Sequence, residues 1–293
     1  MGMHNTVRNS TEGTMRYTVQ GAGLGLKQEI IPALLEQQPT NIRFVEVAPE
    51  NWINVGGARG KTLAAITERY PLVCHGLSLN IGGPAPLDHD LIRQIGTFIQ
   101  QNQVLNYTEH LSYCGDSGQL YDLMPIPFTE EAVHYVAERI RQVQDSLGQQ
   151  IGMENVSTYA QLPGDMTEIE FLNAVLTEAD CGYHLDINNI YVNASNHGFD
   201  PNDYLQQIPA ERILYAHIAG HEQQRSGLRI DTHGEAVLPD VWTLLASAYQ
   251  QYGVFPTLLE RDFNIPPLAS LLTEIQQIER LQQTAQGVAD ANP

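Results

Sequence analysis

Ile213-Leu214-Tyr215-Ala216-His217-Ile218-Ala219-Gly220-His221 begins the stretch on which the reading of this chain turns, and a polar loop carries it on to Asp231-Thr232-His233-Gly234. The apolar run has the β-branched and aromatic content of a strand, and His217 stands at its carboxyl end. Three histidines and an aspartate thus leave one strand and its loop rather than a helix face. This is half of a metal site, and the rest of the chain has to supply the other half.

Seven further runs of the same kind precede or follow it, at residues 17–21, 43–47, 72–75, 107–111, 151–155, 183–187 and 257–260. Each leads through a polar turn into a segment with helical spacing, the pattern of parallel β/α units. Asp88 is placed to cap a helix with Leu91, Ile92, Ile95, Phe98 and Ile99 on one face. Thr129 is placed to cap another, with Glu130 and Glu131 in its first turn and Gly148 as its stop. Pro267 suits a first helical turn ahead of Leu271, Leu272, Ile275 and Ile278. Gly21-Ala22-Gly23-Leu24-Gly25 lacks the G-x-G-x-x-G spacing of a dinucleotide loop and reads as a tight strand-to-helix turn. Eight strands alternating with helices, without a Gly/Ser-rich break, predict an α/β protein built as a single (β/α)8 TIM-type barrel over residues 17–282. A flexible leader (1–16) and tail (283–293) flank it, and an open doubly wound sheet is the alternative.

Composition narrows the function. With 15 Lys+Arg against 34 Asp+Glu the net charge is −19, a field that repels nucleic acid and anionic membrane surfaces. Cys74, Cys114 and Cys181 are widely spaced and form no C-x-x-C pair, so neither a disulfide framework nor a thiolate zinc knuckle is indicated, and a cytoplasmic setting with reduced thiols is expected. The chain offers no long uncharged run for a membrane span.

In a barrel of this kind the chemistry sits at the carboxyl ends of the strands. Strand three ends in His75, strand four in His110, strand five in Glu154, strand six in Asp186, strand seven in His217 with Asp231 and His233 beyond, and strand eight in Glu260. Carboxylates packed at one rim repel one another unless a cation lies between them. Imidazole and carboxylate donors without thiolate suit iron, manganese or zinc, and four of each are too many for one tetrahedral ion, so two or three metals are expected. Asn188 and Asn189 add neutral oxygens beside Asp186, with a local turn as the competing reading. His197 and His221 lie in rim loops as supporting or substrate-side candidates, with Arg225 and Arg229 as a rim for substrate. His4, His89 and His134 read as structural or solvated, and strand alternation puts His184 on the face of Asp186, deeper inside the barrel.

The blocks Cys74-His75-Gly76-Leu77-Ser78-Leu79, Glu109-His110-Leu111-Ser112, Leu123-Met124-Pro125-Ile126-Pro127-Phe128-Thr129, Met153-Glu154-Asn155-Val156-Ser157-Thr158-Tyr159, Leu185-Asp186-Ile187-Asn188-Asn189, His217-Ile218-Ala219-Gly220-His221, Asp231-Thr232-His233-Gly234 and Leu259-Glu260-Arg261-Asp262 together resemble the DUF692 family. That family is described as multinuclear non-haem iron-dependent oxidases and includes the methanobactin-type peptide oxidase. The resemblance implies a xylose isomerase-like and endonuclease IV-like barrel. It implies one iron on His75, His110 and Glu154, a second on Glu154, Asp186, His217 and Glu260, and a third on Asp231 and His233 with Asn189, Asn155 standing in support. Endonuclease IV-like barrels tend to have a histidine where this chain has Asn189. It further implies dioxygen as co-substrate, a cysteine-containing ribosomal precursor peptide modified for example to an oxazolone with a thioamide, and a small partner protein that recruits the peptide. A carboxylate near the cluster would accept a proton from the peptide, and Asp262, on the side of Glu260, is the candidate, with an ion pair to a loop Arg as the competing reading. A metal-dependent hydrolase or isomerase acting on a sugar or phosphate ester is the alternative on the same barrel.

Overall fold

The computed structural model describes residues 16–291 apart from 117 and 161, so nearly all of the expected leader lies outside the described residues. Eight parallel strands close into a barrel: β1 (Ala22–Gly25), β2 (Phe44–Val47), β3 (Leu72–Gly76), β4 (Tyr107–His110), β5 (Gly152–Glu154), β6 (Gly182–Asp186), β7 (Ile213–Ile218) and β8 (Thr257–Leu259). Each strand pairs with its neighbours in sequence and β1 pairs with both β2 and β8, so the barrel itself has no open edge. The expected barrel is therefore the observed one, and the open sheet is excluded.

One strand differs from the sequence expectation. Residues 17–21 are not a strand; β1 is the glycine-rich segment read as a turn. The reason is steric. Gly23 pairs with Phe44 in register, and a Cβ there would lie 2.5 Å from the Phe44 ring. Glycine, a poor strand residue by propensity, is selected here because the aromatic ring needs its space. Phe44, Val73, Tyr215 and Leu258 fill the barrel interior with Val19, and the larger core lies between the outer face of the strands and the helices.

The helices start where their caps predict. Asp88 accepts from the backbone amides of Asp90 and Leu91 ahead of His89–Asn102, and Thr129 accepts from Ala132 ahead of Glu130–Leu147, whose end is marked by Gly148 at φ +67°. These helices bury Ile92, Ile95, Phe98 and Ile99, and Val133, Val136, Ile140 and Val143. The last helix, Leu268–Ala291, carries through most of the segment read as a tail. Among the described residues no helix is long and apolar enough to cross a membrane.

Candidate metal centre

Side chains alternate along a strand, and in this barrel the alternation sorts apolar from chemical residues. Cys74, Tyr107, Met153, Leu185, Ala216 and Leu259 belong to the outer core. The residues between or beside them, His75, Thr108, Glu154, Asp186, His217 and Glu260, converge inside. Register then places neighbours together: His110 lies opposite Glu154, and Asp186 opposite His217. Short parallel strands that all end at the same level thus gather imidazoles and carboxylates from six strands into one cavity mouth.

The distances are those of a coordination site. His75 Nε2 lies 3.1 Å and His110 Nε2 3.4 Å from the Glu154 carboxylate. His217 Nδ1 lies 2.9 Å from Glu260, 3.6 Å from Glu154 and 3.9 Å from Asp186. His233 Nδ1 lies 3.2 Å from Glu260, and its Nε2 lies 2.6 Å from Asp231. Three sets, His75/His110/Glu154, Glu154/Asp186/His217 and Asp186/His233/Glu260, each bring one donor atom per residue within 4.8 Å of the others. Glu154 and Asp186 belong to two sets each, as bridging carboxylates would.

Hydrogen-bond bookkeeping tests whether these groups suit a cation. His110 Nδ1 faces the Gly76 carbonyl at 2.9 Å, and a carbonyl only accepts, so Nδ1 carries the proton and Nε2 of the neutral ring is a lone pair. That lone pair stands 3.0 Å from His75 Nε2. Burial, with His75 adding to it, pushes the His110 imidazolium down to about 4, so the ring is neutral near pH 7. The Asp186 Oδ2 and His217 Nδ1 atoms are buried without a hydrogen-bond partner. Burial, against the pull of His110 and His217, lifts the Glu154 carboxyl to about 7, and burial with Glu154 and Asp231 beside it lifts Asp186 well above the carboxylate range. Buried acceptors that face one another and resist ionisation in each other's company are what a cation would satisfy. The residues fit a metal centre of imidazole and carboxylate donors.

The third set brings Asp186 and Glu260 to His233 beside the expected Asp231. Asn189 lines the mouth with its amide engaged by its neighbours: its Oδ1 accepts from Ser157 at 2.7 Å and its Nδ2 donates to the Asn155 carbonyl at 3.0 Å. The group that closes with His233 is Asp186 and Glu260. Asn188 donates to Asp231 at 2.7 Å and its Oδ1 lies 2.8 Å from His221 Nδ1, so Asn188 and His221 brace Asp231 from behind. Asn155 holds the backbone of Asp186, accepting from its amide and donating to its carbonyl at 2.9 Å.

Three other candidates lie away from the centre. His197 Nε2 contacts the Thr158 hydroxyl and carbonyl at 2.8 and 3.0 Å. Arg229 donates to Ser195 at 2.9 Å and lies over the Tyr191 ring, which fastens the loop hairpin to the helix Ile187–His197. Arg225 is exposed at the tip of that hairpin. None of the three lines the mouth.

The structure adds Glu46 and Lys27, which the sequence reading passed over, and places His184 where that reading put it. Glu46, buried on β2, lies 3.0 Å from His217 Nε2. Its signal was available: it is two residues past Phe44 and so on the interior face. His184 is fully buried, 4.3 Å between centroids from the stacked Tyr215 ring and edge-on to His217, as alternation predicts. Lys27, just beyond β1, ion-pairs with Asp262, which also faces His233 Nδ1 at 3.2 Å. The cavity above these groups has a volume of about 630 Å³, and its rim exposes Phe263, Leu77 and Tyr159.

Comparison with known proteins adds an independent line. Residues 21–283 match the family described as "RiPP precursor modification enzyme MbnB/TglH/ChrH". The chain is 55% identical over 271 residues to a UPF0276 protein of Nitrosospira multiformis, spanning 92% of this chain and 96% of that one. It is 54% identical over 268 residues to a UPF0276 protein of Pseudomonas aeruginosa, spanning 92% and 94%. Among solved structures it is similar to endonuclease IV from Thermus thermophilus (TM-score 0.58, 15% identity, 92% of this chain and 99% of that one). It is also similar to a xylose isomerase domain protein from Planctomyces limnophilus (TM-score 0.57, 12% identity, 91% and 98%). At such identities the likeness shows the fold alone, a xylose isomerase-like and endonuclease IV-like barrel.

Proposed function

From the family to which the chain belongs, the RiPP precursor modification enzymes MbnB/TglH/ChrH, we propose that it is a multinuclear iron-dependent oxidase that uses dioxygen to modify cysteine residues of a ribosomally made precursor peptide in the cytoplasm. The observation that carries the reading is the set of overlapping donor groups at the barrel mouth, which share Glu154 and Asp186 and mix imidazole with carboxylate. His75, His110 and Glu154 would hold one iron, and Glu154, Asp186, His217 and Glu260 a second. His233 and Asp231 would serve a third, with Asp186 and Glu260 close enough to join them and Asn189 at the same mouth. When bound, iron supplies Lewis acidity toward a substrate sulfur and redox exchange with dioxygen.

The chain's own residues supply position and proton traffic. Burial and the nearby Glu260 work against an ionised Asp262, but His233 and Lys27 outweigh them and hold it below the usual carboxylate range. A carboxylate at the mouth, unprotonated and close to the donor set, is placed to accept a proton from the peptide. Lys27 fixes its direction. Phe263 at 65% exposure, with Leu77 and Tyr159, gives the rim an apolar lip suited to an extended peptide beside a reacting cysteine. The helper protein that recruits the peptide is part of the same proposal.

Protein purified anaerobically is expected to carry more than one iron per chain and to consume oxygen only when a cysteine-containing peptide is present. Zinc as the only metal, with turnover of a phosphate ester or a sugar, would replace this reading by the hydrolase or isomerase one.

A further inference from the structure

We propose that Glu46 is a positioning residue for two metal-facing histidines at once, His217 on β7 and His75 on β3, and that it holds each in the tautomer that turns a lone pair toward the centre. The inference rests on the reading of the mouth as a metal centre.

The argument follows protons along one buried chain of hydrogen bonds. Glu46 is 5% exposed, and its carboxylate oxygens both lie 3.0 Å from His217 Nε2. A carboxylate only accepts, so Nε2 carries the proton; Nδ1, although 2.9 Å from Glu260, has no hydrogen-bond partner, and with a cation in the centre it is the lone pair. Nδ1 is the nitrogen that faces Glu260, Glu154 and Asp186. The same carboxylate accepts from the Tyr215 hydroxyl at 2.6 Å. Tyrosine has one hydroxyl proton, and once it is given to Glu46 the Tyr215 oxygen acts toward Thr108, 3.0 Å away, as an acceptor. The Thr108 hydroxyl, donating there rather than to the more distant Cys74 carbonyl at 3.4 Å, is an acceptor for His75 Nδ1 at 2.8 Å. His75 is thereby fixed with its proton on Nδ1 and its lone pair on Nε2, the atom 3.1 Å from Glu154.

Opposite nitrogens serve on the two rings, and one anion sets both. His217 receives the carboxylate directly, and His75 receives it through two hydroxyls. A metal-bound histidine whose second nitrogen donates to a carboxylate is a better oriented and more basic ligand. The competing role is that of a ligand: Glu46, His184 and His217 also bring donor atoms within 4.8 Å, and both His184 nitrogens are buried without a partner. A cation there would need the His217 Nε2 lone pair, whereas Nε2 makes a hydrogen bond to Glu46 and it is Nδ1 that is left without a hydrogen-bond partner.

The test uses the full chain loaded with zinc as a diamagnetic probe, with 15N-imidazole NMR and zinc affinity by chelator competition as readouts. The wild type is expected to show exchange-protected N–H protons on His217 Nε2 and His75 Nδ1. Glu46→Gln is expected to shift both signals and to lower zinc affinity about 10–100-fold, the range typical of lost outer hydrogen bonds to metal ligands. Tyr215→Phe is expected to shift His75 and spare His217, and if Glu46→Gln fails to fold this split decides alone. Glu46→Asp is expected to restore part of the affinity. The proposal is overturned if Glu46→Gln leaves both signals and the affinity as in the wild type, or if Tyr215→Phe moves both rings or neither. It is also overturned if Glu46→Gln releases one ion while the rest bind unchanged, because Glu46 is then itself a ligand. A wild-type chain that takes up neither zinc nor iron overturns the metal reading itself, a result distinct from variants that merely match a metal-loaded wild type.

Discussion

Replacing Gly23 by alanine adds a single methyl group to the interior of the barrel, and the structure shows what it meets. The new Cβ would lie 2.5, 2.6 and 2.7 Å from three carbons of the Phe44 ring, well inside van der Waals contact. Phe44 has no exposed surface, and its ring stands edge-on to Tyr215 at 6.0 Å between centroids, so it has little room to retreat. Overpacking of this kind costs about 1–3 kcal/mol. In a domain of this size that is a fall in Tm of roughly 2–10 °C. Gly25→Ala is the control. Its Cβ would meet only ordinary contacts, the Leu259 carbonyl at 3.7 Å and Glu260 Cα at 3.9 Å. Urea unfolding of both variants, followed by circular dichroism, separates the cases. Equal stability of Gly23→Ala and Gly25→Ala would refute the claim that Gly23 is selected to admit the Phe44 ring.

Three further outcomes are expected. Glu154→Gln and Glu260→Gln should each lower metal content, Glu154→Gln by more than one ion because that residue belongs to two donor sets, while circular dichroism stays that of the folded barrel; unchanged content by plasma mass spectrometry would remove them from the ligand list. Asp88→Ala should cost about 1 kcal/mol in denaturant unfolding, since two backbone amides at 2.9 Å lose their acceptor. Glu168, partly buried beside Tyr204 and Asn193, has its carboxyl lifted by burial to about 7, against the lowering effect of those two hydrogen bonds. The folded state therefore binds a proton that the unfolded chain has released, and the stability from this group is complete below pH ~4.5 and is lost as pH rises through about 7. Glu168→Gln, which stays neutral, should match the wild type near pH 4.5 and exceed its stability by about 1–3 kcal/mol at pH 8; a difference independent of pH would contradict the assignment.

Much of this protein was legible from local pattern. Seven of the eight strands, the Asp88 and Thr129 caps and the Gly148 stop follow from alternation, capping and left-handed geometry, which depend on neighbours in sequence. His75, His110, Glu154, Asp186, His217 and Glu260 were legible as a group because a closed parallel barrel brings every strand end to one rim. What failed did so where a distant residue overruled a local one. Gly23 reads as a turn until Phe44 is laid against it. Arg229 reads as a substrate clamp until Ser195 and Tyr191 are found beneath it. Glu46 shows the limit most clearly. Alternation alone puts it on the interior face, but which histidine it meets is decided by the closure of the barrel, which carries β2 across from β7 and brings residues 171 apart in sequence to 3.0 Å. The sequence by itself determined the barrel and the chemistry of its rim, because periodicity and donor type are local properties. Only the tertiary structure decided which donors lie close enough to share an ion and which ring nitrogen of each histidine faces them, because those depend on distances across the barrel.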